Sequence, residues 1–116
     1  MKLYHTPYSS PSRSVLMTIR CLNLDDELEI QIVDSLKGEN ETLEFLKLNP
    51  LGHIPVLVDG DVILSESRAI MTYLVNSRRP GCSLYPSDNR KRAVVDSRLY
   101  CDACGLNIQL FAAFVS

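Results

Sequence analysis

An α/β fold is predicted for this chain: one domain in the order β-α-β-α-β-β-α, followed by the start of a helical segment. Three observations predict it. Short alternating or β-branched runs (Lys2 to Tyr4, Leu28 to Val33, Val56 to Val58, Val62 to Leu64) are interleaved with stripes of helical period. Asp59-Gly60 stands between two apolar triplets, the mark of a tight β-hairpin. Pro80, Gly81 and Pro86 interrupt the chain before a last helical pattern. The expected organisation is a domain over 1–79, a linker over 80–86, and a further helical segment over 87–116.

Taken in order, Lys2 to Tyr4 forms a first strand, closed by the turn Pro7-Tyr8-Ser9-Ser10-Pro11. Pro11 suits the first turn of a helix and Ser10 is available to cap it. Val15, Leu16, Ile19 and Leu22 give that helix one core-facing stripe. In the second strand Leu28, Ile30 and Ile32 alternate with Glu29 and Gln31, which predicts one face in the core. A short helix begins at Asn40 or Glu41 and stops at Asn49-Pro50. After the hairpin a third helix runs from about Glu66 to Ser77, with Tyr4 and Tyr73 expected as core aromatics. Ser87 is the expected cap of the fourth helix, which carries two stripes: Val94, Cys101, Ile108 and Phe111, and Val95, Leu99, Leu106 and Leu110. The strand and helix order resembles the thioredoxin fold.

The bulk properties exclude several functions. A chain of 116 residues with 46% hydrophobic and 22% charged residues is an ordinary globular sequence. A net charge of −2 gives no electrostatic reason for a nucleic acid or an anionic membrane as partner. The start turns polar within five residues, unlike a signal peptide, and no apolar run approaches membrane-spanning length. A cytoplasmic protein with reduced thiols at Cys21, Cys82, Cys101 and Cys104 is expected. Cys101 and Cys104 have redox-motif spacing but no second pair, so they read as small side chains of a packed helix face.

Four places can carry chemistry. Ser9 lies where the first strand hands over to the first helix, near free N–H groups and the positive end of the dipole. A hydroxyl there can hold a sulfur anion brought by a ligand, although a helix cap would use the same residue. Ile54-Pro55 is a candidate cis bond before a strand, a bend that exposes the Ile54 backbone to an extended peptide. Glu66 and Ser67, with Arg68 beside them, open a helix; Ser67 suits a carboxylate and Glu66 its neighbouring ammonium, though a plain cap is the other use of this pair. His53, beside the bend, is placed to meet a second carboxylate. His5 reads as structural.

Ser9 through Val15, Asn49-Pro50 through Leu57, and Ser65-Glu66-Ser67-Arg68-Ala69-Ile70 together resemble the serine-type cytosolic glutathione transferases. The likeness is greatest to the insect delta and epsilon classes, with theta and phi next. Arg92 to Tyr100 resembles the first helix of that family's second domain. The resemblance implies that Ser9 activates the glutathione thiol and that Ile54, fixed by Pro55, pairs with the cysteinyl backbone. It implies that Glu66 and Ser67 hold the γ-glutamyl end with help from Arg68, and that His53 reaches the glycyl carboxylate. Glutathione is then a co-substrate and the second substrate a hydrophobic electrophile. No metal or redox cofactor is implied, and the full-length family forms homodimers.

This chain departs from the pattern at Gly52 and Asn40, where glycyl-binding histidines are common, which bears on the glycyl end alone. It also stops at Phe111-Ala112-Ala113-Phe114-Val115-Ser116, where the family continues into more helices. A fragment with an exposed apolar patch is therefore expected. Two functions follow: a transferase, or a glutathione-binding or interaction module that lacks the co-substrate domain. A glutaredoxin-like oxidoreductase is disfavoured, because positions 9 to 12 hold no cysteine.

Overall fold

The structure, a computed structural model, describes residues 1–115. Four strands make one sheet in the order β2-β1-β3-β4: β1 (Lys2–His5), β2 (Glu29–Ile32), β3 (Val56–Asp59) and β4 (Val62–Ser65). β1 and β2 run parallel, joined by the crossover helix α1 (Ser10–Cys21). β3 lies antiparallel to β1 on its other side and forms the hairpin with β4. The remaining helices are α2 (Leu43–Leu48), α3 (Ser67–Arg78), α4 (Asn89–Cys101) and α5 (Asn107–Val115). The predicted element order holds, and the arrangement is thioredoxin-like. The chain divides into two compact units, 1–74 and 75–116.

The pleat of the sheet gives the first unit two cores. Tyr4 and Val56 are register partners on one face, where Val56, Val33 and Phe45 of α2 form a buried cluster with Tyr4, Leu48 and Ile54 against it. The Tyr4 ring meets Phe45 edge-on at 6.0 Å. On the opposite face Leu3 pairs with Leu57, and both have zero exposure. The helices contribute Val15 and Ile19 from α1 and Ile70 and Leu74 from α3, also at zero exposure. The i, i+4 spacing in each helix is what sets these pairs on a single face.

Several expectations are corrected. Ser9, not Ser10, caps α1, because Ser9 keeps extended angles while Ser10 is already helical. Leu16 of the expected α1 stripe is only half-buried. β2 does not bury its apolar face: Ile30 is 41% and Ile32 52% exposed. As the sheet edge it has a neighbour on one side only, so its apolar face runs past the cover of the centre. The second helix starts after Thr42, whose hydroxyl accepts the Phe45 N–H at 3.2 Å, while Glu39 to Glu41 form a separate 3₁₀ turn.

The hairpin loop is Gly60-Asp61 rather than Asp59-Gly60, since the register pairs Asp59 with Val62. Gly60 supplies the positive φ of 62° at the first loop position. Asp59 stays in the strand, where its carboxylate accepts the Tyr73 hydroxyl at 2.7 Å. Tyr73 is accordingly half-buried rather than a core aromatic.

In the second unit Asp88, not Ser87, caps α4 by accepting the Lys91 N–H at 2.9 Å. Arg92 binds the segment before α4: its guanidinium lies 4.1 Å from the Tyr85 ring centroid and donates to Pro86 O at 2.7 Å. Asp102 to Leu106 forms a wide π turn between α4 and α5, with the Asn107 N–H reaching back to Asp102 O. The inserted residue rotates α5 against α4, so the two expected stripes are not continuous. Exposure runs from 54% at Leu106 to 89% at Phe114 along this apolar end. Cys101, the last residue of α4, and Cys104, in the π turn, are exposed free thiols instead of packed ones.

Two substitutions separate centre from edge. Leu57→Ala should cost about 2–5 kcal/mol in denaturant unfolding, the usual loss for a fully buried leucine. Ile30→Thr should change stability by about 1 kcal/mol or less, as expected at an exposed edge.

Candidate functional site

The β1–β3–β4 register assembles the site. Tyr4 pairs with Val56 and Val56 with Ser65, so three chain segments leave the sheet along one line. Beyond Tyr4 and His5 comes the Thr6-Pro7-Tyr8 turn and Ser9; before Val56 come His53, Ile54 and Pro55; after Ser65 come Glu66, Ser67 and Arg68. Two strand spacings of about 4.8 Å make this line roughly 10 Å across. An extended peptide of three residues is about 10 Å long.

At the first segment, Ser9 is half-buried at the N-cap of α1. Its Oγ accepts the Ser12 N–H at 3.2 Å, and its own N–H donates to Thr6 O at 3.3 Å. The Thr6 N–H donates to Ser12 Oγ at 3.1 Å, which closes the circuit Thr6–Ser9–Ser12. Ser12 Oγ also lies 2.7 Å from His5 Nδ1. Ser12 has zero exposure and His5 5%. Burial, first of all, lowers the His5 pKa below its ordinary 6.5; a hydrogen bond at Ser12 works the other way, and Arg20 and Arg13 add repulsion. Sequence reasoning missed this buried cluster, because nothing marked His5 and Ser12 as neighbours seven residues apart.

At the second segment the Ile54-Pro55 bond is cis, as the bend required. The Ile54 side chain packs on the Val33, Phe45 and Val56 cluster, while its backbone precedes the first paired residue of β3. Pro55 is buried. Two asparagines fix the loop before it. Asn49 Nδ2 donates to His53 O at 2.9 Å, and Asn49 Oδ1 accepts the Leu51 N–H at 3.2 Å. Asn40 Nδ2 donates to Gly52 O at 2.9 Å. Gly52 has φ +68°, and a Cβ there would meet Asn40 O at 3.2 Å. The sequence marks Asn49 as a helix stop; in the structure its amide also braces the loop. His53 itself is exposed, and it is its carbonyl that the loop uses.

At the third segment Glu66 is exposed with φ +70°, a left-handed angle that side chains seldom adopt. α3 begins at the next residue, Ser67, which is 2% exposed. The Ser67 hydroxyl oxygen accepts from Arg68 Nη1 at 3.0 Å. Ser67 therefore offers a proton and a first-turn N–H from a fixed position, with a guanidinium alongside. A strained angle of this kind, kept at a helix start beside two polar groups, is characteristic of ligand-holding backbone.

Residues 3–81 match the family described as glutathione S-transferase, N-terminal domain. The chain belongs to the glutathione S-transferase family. A silkworm (Bombyx mori) glutathione transferase is 47% identical, superposes with a TM-score of 0.86, and is matched over 92% of this chain and 49% of its own. A delta-class enzyme from Nilaparvata lugens is 44% identical over 88% of this chain and 47% of its own, with a TM-score of 0.81. A glutathione transferase homologue from Drosophila mojavensis, solved with bound glutathione, is 40% identical over 88% of this chain and 46% of its own, with a TM-score of 0.84. The chain thus spans about half the length of these relatives. Among the described residues, no helix is long and apolar enough to cross a membrane.

The Glu66 angle yields a stability test. Glu66→Gly removes the penalty of a left-handed side-chain residue and should leave the melting free energy unchanged or raise it by up to about 1 kcal/mol. Thermal unfolding measures it, and a clear loss would mean that the Glu66 side chain holds the fold together.

Proposed function

We propose that this chain is the glutathione-binding part of a glutathione transferase, in which the Ser9 hydroxyl holds the glutathione sulfur as thiolate for attack on a hydrophobic electrophile. The observation that carries the reading is the state of Ser9. One lone pair of its Oγ is engaged by the Ser12 N–H, so its O–H is left to donate outward at the end of a helix dipole. A free thiol has a pKa of about 8.5, and lowering it by about two units needs roughly 2.7 kcal/mol. One hydrogen bond to a charged group and a helix terminus are together of that size.

The other segments take the rest of the tripeptide. The Ile54 backbone pairs with the cysteinyl residue in the manner of an added strand. Ser67 receives the γ-glutamyl carboxylate, with Arg68 lending positive charge, and Glu66 receives the ammonium. His53 meets the glycyl carboxylate. Pro55 fixes the bend. In the reaction the thiolate sulfur forms a bond to an electrophilic carbon as the leaving group departs with its electron pair. The thiol proton has already been lost to solvent. Rate comes from the prepared nucleophile and from proximity, and no metal or redox cofactor enters. We further read the protein as cytoplasmic and its full-length form as a homodimer that binds neither nucleic acid nor membrane. The domain boundary at 79/80 and the linker over 80–86 belong to the same proposal.

A second reading is a glutathione-binding module without transferase activity. Binding to immobilised glutathione, followed by conjugation to a chlorinated nitroaromatic, separates the two. Capture with turnover supports the transferase, and capture without turnover the module. Ser9→Ala should raise the bound thiol's pKa toward about 8.5 and cut turnover near neutrality by roughly 10- to 100-fold. Ser67→Ala should weaken capture by roughly 1–3 kcal/mol, and unchanged capture would remove the γ-glutamyl role.

A further inference from the structure

We propose that His5 is a positioning residue for Ser9: as a neutral imidazole it accepts the Ser12 hydroxyl proton at Nδ1 and so locks the hydrogen-bond circuit that aims the Ser9 hydroxyl. The proposal rests on the reading of Ser9 as the group that receives the thiolate, and goes beyond it to a residue that touches no ligand.

Ser12 Oγ is the junction. It has one proton to give and accepts the Thr6 N–H at 3.1 Å. His5 Nδ1, at 2.7 Å, is the other polar atom within hydrogen-bond distance that the structure shows for it. With a proton on Nε2 and none on Nδ1, the Ser12 hydroxyl donates to the ring while its oxygen accepts the Thr6 N–H, so Ser12 Oγ is satisfied both as donor and as acceptor. With a proton on Nδ1, both would be donors toward one another unless the hydroxyl turned away and left its own proton without this acceptor. At zero exposure that loss is costly. The surroundings favour the neutral ring. Burial acts first, Arg20 and Arg13 on α1 are both cationic, and the partner on β2 is the apolar Ile32; together these outweigh a backbone hydrogen bond at Ser12 that favours the charged ring.

The consequence reaches Ser9 through the same residue. The Ser12 N–H occupies one Ser9 lone pair, the Ser9 N–H is fixed on Thr6 O, and Thr6 is fixed on Ser12 Oγ. His5, the last residue of β1, thereby clamps the first turn of α1 to the strand that carries it. Without that clamp Ser12 Oγ retains a single tie, to the Thr6 N–H just beyond β1, and the Ser9 hydroxyl loses its fixed bearing. A group so placed changes the stabilisation of the bound anion more than it changes the capture of the ligand.

The test follows the thiolate ultraviolet band of bound glutathione against pH in the full chain. His5→Leu and Ser12→Ala should each raise the bound thiol's pKa by about half a unit to one unit, with glutathione affinity changed less than about threefold. The double variant should go no further than either alone, since both break one link. His5→Asn, whose Oδ1 can take the place of Nδ1, should recover most of the shift. The proposal is overturned if His5→Leu titrates like wild type while Ser9→Ala shifts, or if the two single effects add. If Ser9→Ala also titrates like wild type, the reading of Ser9 itself falls, and this inference with it. Where His5→Leu fails to fold, the nitrogen chemical shifts of His5 in the wild type decide. An unprotonated Nδ1 with Nε2–H at pH 7 supports the proposal, and Nδ1–H overturns it.

Discussion

The antiparallel pairing of β3 with β1 is the constraint on which the site depends. Because Tyr4 faces Val56 and Val56 faces Ser65, segments nearly sixty residues apart in sequence end on one line. The pairing is held by burial on both sides of the sheet. Leu3 with Leu57 fills one core, and Tyr4 and Val56 with Phe45 fill the other. A slip by one residue would exchange these sets between faces, and would move the Ser9, Ile54 and Glu66 segments out of line at the same time. Core packing and site geometry are therefore one requirement here.

Much of this was legible in the sequence, and the misses share a cause. The strand and helix order followed from period and from turn residues, because long-range packing agrees with local pattern there. Boundaries slipped where two adjacent residues could serve equally. Ser9 and Ser10 are both good caps, and only the extended angles of Ser9 decide between them. Ser87 and Asp88 present the same choice. Asp59-Gly60 carried the stronger hairpin signal, yet the Tyr73 hydroxyl holds Asp59 in the strand and moves the loop on by one. The two caps are settled by backbone angles that residue type alone does not fix, and the hairpin by a tertiary partner that a local reading does not see.

The site divides in the same way. Ser9, Ile54, Pro55, Glu66, Ser67 and Arg68 stood out because each sits at the edge of an element, where residue type has a local meaning. The groups that hold them did not. Asn49 and Asn40 brace the loop through amides aimed at His53 O and Gly52 O, and any polar residue of a loop looks much like another in sequence. His5 and Ser12 meet at 2.7 Å only because a strand end and a helix start are packed together. Ile30 and Ile32 failed for the opposite reason. Their alternation was real, but an edge strand has too little cover to bury it.

Each group proposed to face the ligand is anchored by one part of itself and presented by another. Ile54 buries its side chain in the Val33, Phe45 and Val56 cluster, which leaves its backbone outside the ladder. Glu66 does the reverse: its carbonyl accepts the Ile70 N–H at 3.0 Å, at the cost of a left-handed angle, and its side chain stands exposed. Ser9 splits a single hydroxyl, the oxygen held by Ser12 and the proton free to be aimed. A small domain gains rigidity at an edge by this device, because each anchor belongs to a core cluster or to a helix start. The polar anchors are the dearer ones, since a buried hydroxyl or amide that loses its partner costs about 1–3 kcal/mol. That difference explains why Ser12, the most deeply buried of them, makes three hydrogen bonds, with Thr6, Ser9 and His5.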